Sequence, residues 1–163
     1  MKNSLYWWLA PIAWMGVIFY ASSQPYQEQD LKPFLSNYID VSFLAPYLDW
    51  IRFTYHHSEV SVAELGTAGF IEFFIRKGAH VTVFMILFLL FYLALTKSAF
   101  QKPILTALTL TVLYAALDEM HQGMTPNRTP YIGDVVLDTI GALIGVGLIL
   151  LISKRKKDPI SKK

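Results

Sequence analysis

The chain has 163 residues, of which 54% are hydrophobic and only 16% charged, and its mean hydropathy is positive. Soluble domains carry about 25% charged residues, so this composition argues against a soluble globular protein. A net charge of +2 is too small to indicate a nucleic-acid partner, and the lack of cysteine excludes a disulfide framework and any thiolate metal site.

Crossing a hydrocarbon core takes roughly 20 apolar residues as a helix. Four stretches meet or approach that length: Leu5 to Ala21, the run after Lys77 that continues through Val81–Thr96, Ile104 to Leu117, and Val135 to Ile152. They predict an all-α, polytopic membrane protein with about four transmembrane helices. A single membrane domain is expected over residues 1–153, with a basic cytoplasmic tail over 154–163. The first stretch has an alternative, since Lys2, an apolar core and the small residues Ala21–Ser23 also suit a cleaved signal peptide. Its apolar run is longer than the usual signal core, and Trp7, Trp8 and Trp14 suit an anchored helix.

Residues 22–76 form a long segment rich in Tyr26, Phe34, Tyr38, Phe43, Tyr47, Trp50, Phe53 and Tyr55. Leu44, Leu48 and Ile51 recur at helical spacing, as do Phe70, Phe73 and Phe74. Such stripes predict partly helical structure lying on the membrane or capping the bundle. Thr67 is a candidate cap for a helix that runs on into the second span. His56 and His57 are expected in solvent, and Met120, Met124 and Tyr131 are expected as packing residues.

Lys2, Lys97, Lys102 and the tail residues Lys154, Arg155, Lys156, Lys157, Lys162 and Lys163 fall on one side of a four-helix threading. The opposite side holds Lys32, Arg52, Arg76, Lys77 and Arg128 over a much longer length. Positive charge in short flanks marks the cytoplasmic side, so both termini are expected there, in a cytoplasmic membrane, with 22–76 and 121–133 facing outward.

Counting depth at ~1.5 Å per residue places Asp118 and Glu119 roughly 21 Å into the third helix, just below the outer boundary of a ~30 Å core. His80 lies roughly one turn inside the second helix, and Asp138 one turn inside a fourth helix entering at Asp134. Charged groups at such depth face the bundle interior and are paired. The spacing agrees. Lys77 and His80 share one face, Asp118 shares another with His121 and Gln122, and Asp134 and Asp138 continue into the Gly141/Gly145 pair. Small residues four apart let helix backbones approach closely, within the chain or in an oligomer.

These residue types allow specific roles. Lys77 and Arg128, with Gln122, suit a phosphate or other anionic head group. His80 or His121 suits a nucleophile or general acid/base, oriented by Asp118 or Glu119. Asp134 and Asp138 suit a divalent metal, although two aspartates specify no particular ion.

The segments Ile18–Pro25, Arg76-Lys77-Gly78-Ala79-His80, Asp118-Glu119-Met120-His121-Gln122, Pro126-Asn127-Arg128, Asp134 and Gly141 with Gly145 together resemble the VanZ-like family of bacterial membrane proteins. Asn127 departs from the glycine the family commonly carries before the arginine, although Asn also tolerates a left-handed turn. The resemblance implies an all-helical envelope protein, and the family's founding member is associated with resistance to the glycopeptide teicoplanin. It implies no settled mechanism. Two readings therefore stand: a site that binds or processes an anionic envelope lipid or lipid-linked precursor, or a non-catalytic binding or chaperone-type protein whose buried charges form a helix-packing network.

Overall fold

A computed structural model of the protein describes residues 5–126 and 128–157. Lys2, Asn127, Lys162 and Lys163, used in the sequence reading, lie outside those residues. Four long helices dominate: α1 (Tyr6–Ser23), α2 (Val62–Lys97), α3 (Pro103–Gln122) and α4 (Ile132–Lys157). By length and composition α2, α3 and α4 suit a membrane crossing. The 18-residue α1 is interrupted by Pro11 and enriched in Trp and Tyr, and it packs along α2 and α3.

Helix α2 covers 36 residues as two segments joined at a kink, and the segment after the kink is by itself longer than a ~30 Å core requires. The segment that runs on into the second span begins at Thr67, just after a kink, and one further helical turn precedes it. The hydroxyl of Ser61 caps that preceding turn by accepting the Glu64 amide at 3.2 Å. Gly66 interrupts the helical path at φ 69° and ψ 165°, a conformation that glycine adopts without steric penalty. Twenty residues counted back from Lys97 reach Gly78. The apolar crossing thus starts beside Lys77, and Val62–Arg76 stands outside it.

Residues 24–61 form no continuous amphipathic helix. Short helical turns at Tyr26–Gln29, Lys32–Ile39 and Val41–Leu48 lead into an antiparallel hairpin of Phe53–Tyr55 and Ser58–Val60. His56 and His57 form its two-residue turn, both with positive φ (48° and 63°), as a type I′ turn requires.

Helix α2 is the central element, packing against all three other helices. Its large residues Phe84, Leu87, Phe88, Phe91 and Leu95 fill the core against Ile18 of α1, Ala107 and Ala115 of α3 and Ala142 of α4. Helix α1 is tied in by its polar aromatics. The Trp8 indole donates to Ser98 Oγ at 3.2 Å and the Trp14 indole to the Val83 carbonyl at 3.0 Å. Tyr114 of α3 donates to the Met15 carbonyl at 2.6 Å.

The glycine face of α4 packs against α2 of the same chain. A Cβ on Gly141 would sit 2.9 Å from the Val81 carbonyl carbon, and one on Gly145 would sit 2.5 Å from the Phe88 ring. Met120 and Met124 do not pack in the core as expected: they are 68% and 77% exposed. Helix α4 continues unbroken through Lys154–Lys157, into the basic segment. Gly141→Leu should lower the thermal midpoint and the folded yield in detergent, by about 1–3 kcal/mol from forced backbone separation. Gly147→Ala, where an added Cβ meets nothing within 4 Å, should leave both unchanged.

Candidate functional site

Membrane depth forces the ionisable residues at the ends of α2, α3 and α4 to find partners within the bundle. Asp118, Glu119, Gln122 and Asp138 are all buried, as the depth count requires. At the start of α4, Asp134 receives the Lys77 ammonium at 2.5 Å and the Tyr55 hydroxyl. The same ammonium lies 4.5 Å from the centre of the Tyr55 ring, a favourable cation–π position. One turn deeper, His80 Nδ1 lies 3.2 Å from Asp138 Oδ1.

A third strand of contacts joins α1, α3 and the loop after α3. Asp118 Oδ2 accepts from Ser22 Oγ and from the Gln122 amide, both at 2.9 Å. Gln122 in turn accepts from the Arg128 guanidinium at 2.9 Å, which also donates to Gln29 Oε1 at 2.9 Å. Glu119 accepts the Tyr131 amide at 2.6 Å and so fixes the entry to α4. Buried Glu72 on α2 pairs with Arg76 at 2.7 Å.

These side chains surround an open cavity of about 330 Å³, lined by Glu72, Arg76, Lys77, His80, Gln122, Arg128 and Asp134 together with Lys32 and His56. A second cavity of about 150 Å³ lies between α1 and α2 and shares Arg76, His80 and Arg128 with the first. Burial lowers the pKa of Arg128, and the neighbouring positive charge of Arg76 lowers it further; Asp118 and Glu119 oppose both effects. Two guanidiniums lining the same cavities, with amide oxygens as the partners of one, form a ready receptor for an anion.

The sequence reading placed the residues better than it paired them. Asp138, not Asp118 or Glu119, orients His80. His121 is apart from both carboxylates and stacks on Phe19 at 4.2 Å between ring centres, so the proposed His121–Asp118 pair does not form. Asp134 and Asp138 face separate partners, Lys77 and His80, and among the described residues no group of three or more His, Cys, Asp or Glu is arranged to hold a metal. His56 is not simply solvated: it lines the outer cavity and stacks on Tyr131 at 4.6 Å. Tyr55, Glu72, Arg76 and Gln29 join the site without having been singled out. Arg76 and Glu72 carried a signal in their i, i+4 spacing just before Lys77.

A family model described as VanZ/LLP1 matches residues 7–153, nearly the whole chain. The chain belongs to the VanZ/LLP1 family. No curated protein and no solved structure matches it. The matched range takes in most of each of the four helices and every residue of the polar layer, so this VanZ/LLP1 protein is a membrane protein whose buried ionisable residues converge at one end of its bundle.

Tyr55 lies in the hairpin, outside the spans. Its pKa is raised above the ordinary 10.0, chiefly by burial and then by the hydrogen bond to Asp134 and that group's charge. A tyrosine that ionises less readily folded than unfolded stabilises the fold below about pH 10 and loses that contribution as pH rises further. Tyr55→Phe should therefore flatten the fall in thermal midpoint between about pH 9 and about pH 11 in detergent.

Proposed function

We propose that this VanZ/LLP1 protein binds the anionic, phosphate-bearing head group of an envelope lipid or lipid-linked precursor in the polar cavity at the outer ends of its helices. The observation that carries the reading is the pair of neighbouring guanidiniums, Arg76 and Arg128, at the junction of the two cavities. Arg128 has the amide oxygens of Gln29 and Gln122 as partners. A phosphate would supply the negative charge that these neutral partners do not.

The outward orientation is part of the proposal. Lys97, Lys102, Lys154 and Arg155 gather at the opposite ends of the helices, which favours that end as cytoplasmic in a bacterial cytoplasmic membrane. Involvement in teicoplanin resistance rests on family membership alone and is tested by the same variants.

Arg128→Gln should weaken binding of sn-glycerol 3-phosphate to the purified protein by about 10- to 100-fold, as expected for lost charge-assisted hydrogen bonds. Lys102→Gln, at the far end, should leave it unchanged. Equal affinity in wild type and Arg128→Gln would remove the guanidinium pair from the account. A purely structural charge network predicts no phosphate binding to either protein.

A processing reading is favoured by one observation. His80 lines both cavities and has Nδ1 held by Asp138, which leaves Nε2 for acid–base work on a bound head group. If the site turns over its ligand, His80→Gln should abolish conversion of a bound lipid phosphate, followed by mass spectrometry, while binding persists. Asp138→Asn should slow conversion and alter its pH profile. An unchanged, stoichiometric lipid after incubation with wild type would leave binding as the activity.

A further inference from the structure

The inner cavity differs from the outer one in its walls. Apart from the shared Arg76, His80 and Arg128, its lining includes Ile18 and Ala21 of α1 and Ala79, Val83 and Phe84 of α2. Ala21 and Ala79 line the cavity and yet are exposed, so it reaches the protein surface between α1 and α2 at two of the smallest side chains in the chain. Neighbouring Gly78 keeps that rim low: a Cβ there would meet nothing within 4 Å. Ala79 sits beside the Lys77–Gly78 start of the apolar crossing, and Ala21 sits two residues before the end of α1. The opening therefore faces the edge of the bilayer, at the level where lipid head groups meet their chains.

Two residues of the cavity wall carry unmet hydrogen-bonding capacity, one of each kind, at atoms buried just behind its surface. Asp118 Oδ1 is a buried acceptor and Arg128 Nε a buried donor, and neither has a hydrogen-bond partner among the described residues. Both residues line the cavity, and Asp118 is 4% exposed. A buried polar atom without a partner costs stability, so such a pair selects a ligand that supplies one acceptor and one donor. A singly protonated phosphate monoester does this: P–O⁻ accepts from Arg128 Nε and P–OH donates to Asp118 Oδ1. A phosphodiester has no P–OH.

We infer that the gap between α1 and α2 at Ala21 and Ala79 is a lateral window through which a membrane lipid with a phosphate monoester head group reaches Arg128 and Asp118 while its chain stays against Ile18, Val83 and Phe84. This rests on the head-group reading and narrows it to one lipid class entering from the bilayer. The outer cavity alone would admit a water-soluble ligand. The window supplies apolar wall for the first methylenes of a chain, in the element order that an upright lipid requires.

The test uses the full chain in detergent and three probes: dioleoyl phosphatidate, dioleoyl phosphatidylglycerol and sn-glycerol 3-phosphate. Wild type should bind phosphatidate about tenfold or more tightly than either of the others. Ala79→Phe, which fills the window, should lose about tenfold or more in phosphatidate affinity and retain wild-type affinity for glycerol phosphate. Lys102→Gln, at the opposite end of the bundle, should behave as wild type for all three. The window is overturned if Ala79→Phe binds phosphatidate as wild type does, or if it loses phosphatidate and glycerol phosphate equally. Equal wild-type affinity for phosphatidate and phosphatidylglycerol overturns the monoester selectivity. Binding of glycerol phosphate that survives those failures leaves the head-group reading standing. Binding of no probe by wild type overturns both.

Discussion

An ionised side chain within a bilayer costs at least several kcal/mol unless it is paired or solvated inside the protein. Four helices here each bring polar groups to the same level, and this requirement organises everything around them. Asp134 is held by Lys77 and Tyr55, Asp138 faces His80, and Asp118 is held by Ser22 and Gln122. Apart from the Asp118–Gln122 contact within α3, each pairing ties two elements distant in sequence. Together they fix α1, α2, α3 and α4 to one another at the end where apolar packing is thinnest. At the other end Phe88, Phe91 and Leu95 set on Ala107 and Ala142 perform that task by size complementarity.

The polar layer also contains space. The long Lys77 side chain bridges α2 and α4 at Asp134, whereas Gly141 and Gly145 bring the two helices into close contact deeper in the bundle. The two cavities lie at the polar level and share lining residues. Arg76, His80 and Arg128 stand at the junction of the cavities because α2 and the loop after α3 both pass there.

Much of this was legible in the sequence, and the failures are instructive. Apolar run length gave the four helices, and a count of residues per ångström gave the burial of Asp118, Glu119 and Asp138. The glycine spacing gave the packed face of α4. Pairing was a different matter: helical periodicity says which residues share a face, not which face of another helix they meet. His80 therefore found Asp138, and His121 lay against Phe19 instead of Asp118. The hairpin was hidden because a His-His turn carries none of the Asn-Gly or Asp-Gly signal that marks positive φ. The first turn of α2, before the Gly66 kink, was hidden because no apolar run marks Val62–Leu65.

Everything said of function depends on the polar layer opening to the outside of the cell. The lack of cysteine in the chain allows a direct test. Thr129→Cys places a thiol on the rim of the outer cavity, and Gln101→Cys places one in the short α2–α3 connection at the other end. In intact cells a membrane-impermeant maleimide should label Thr129→Cys, and added phosphatidate should slow that labelling. Gln101→Cys should react only after the cells are opened. Labelling of Gln101→Cys from outside, with Thr129→Cys protected until lysis, would place the site on the cytoplasmic face and contradict the account.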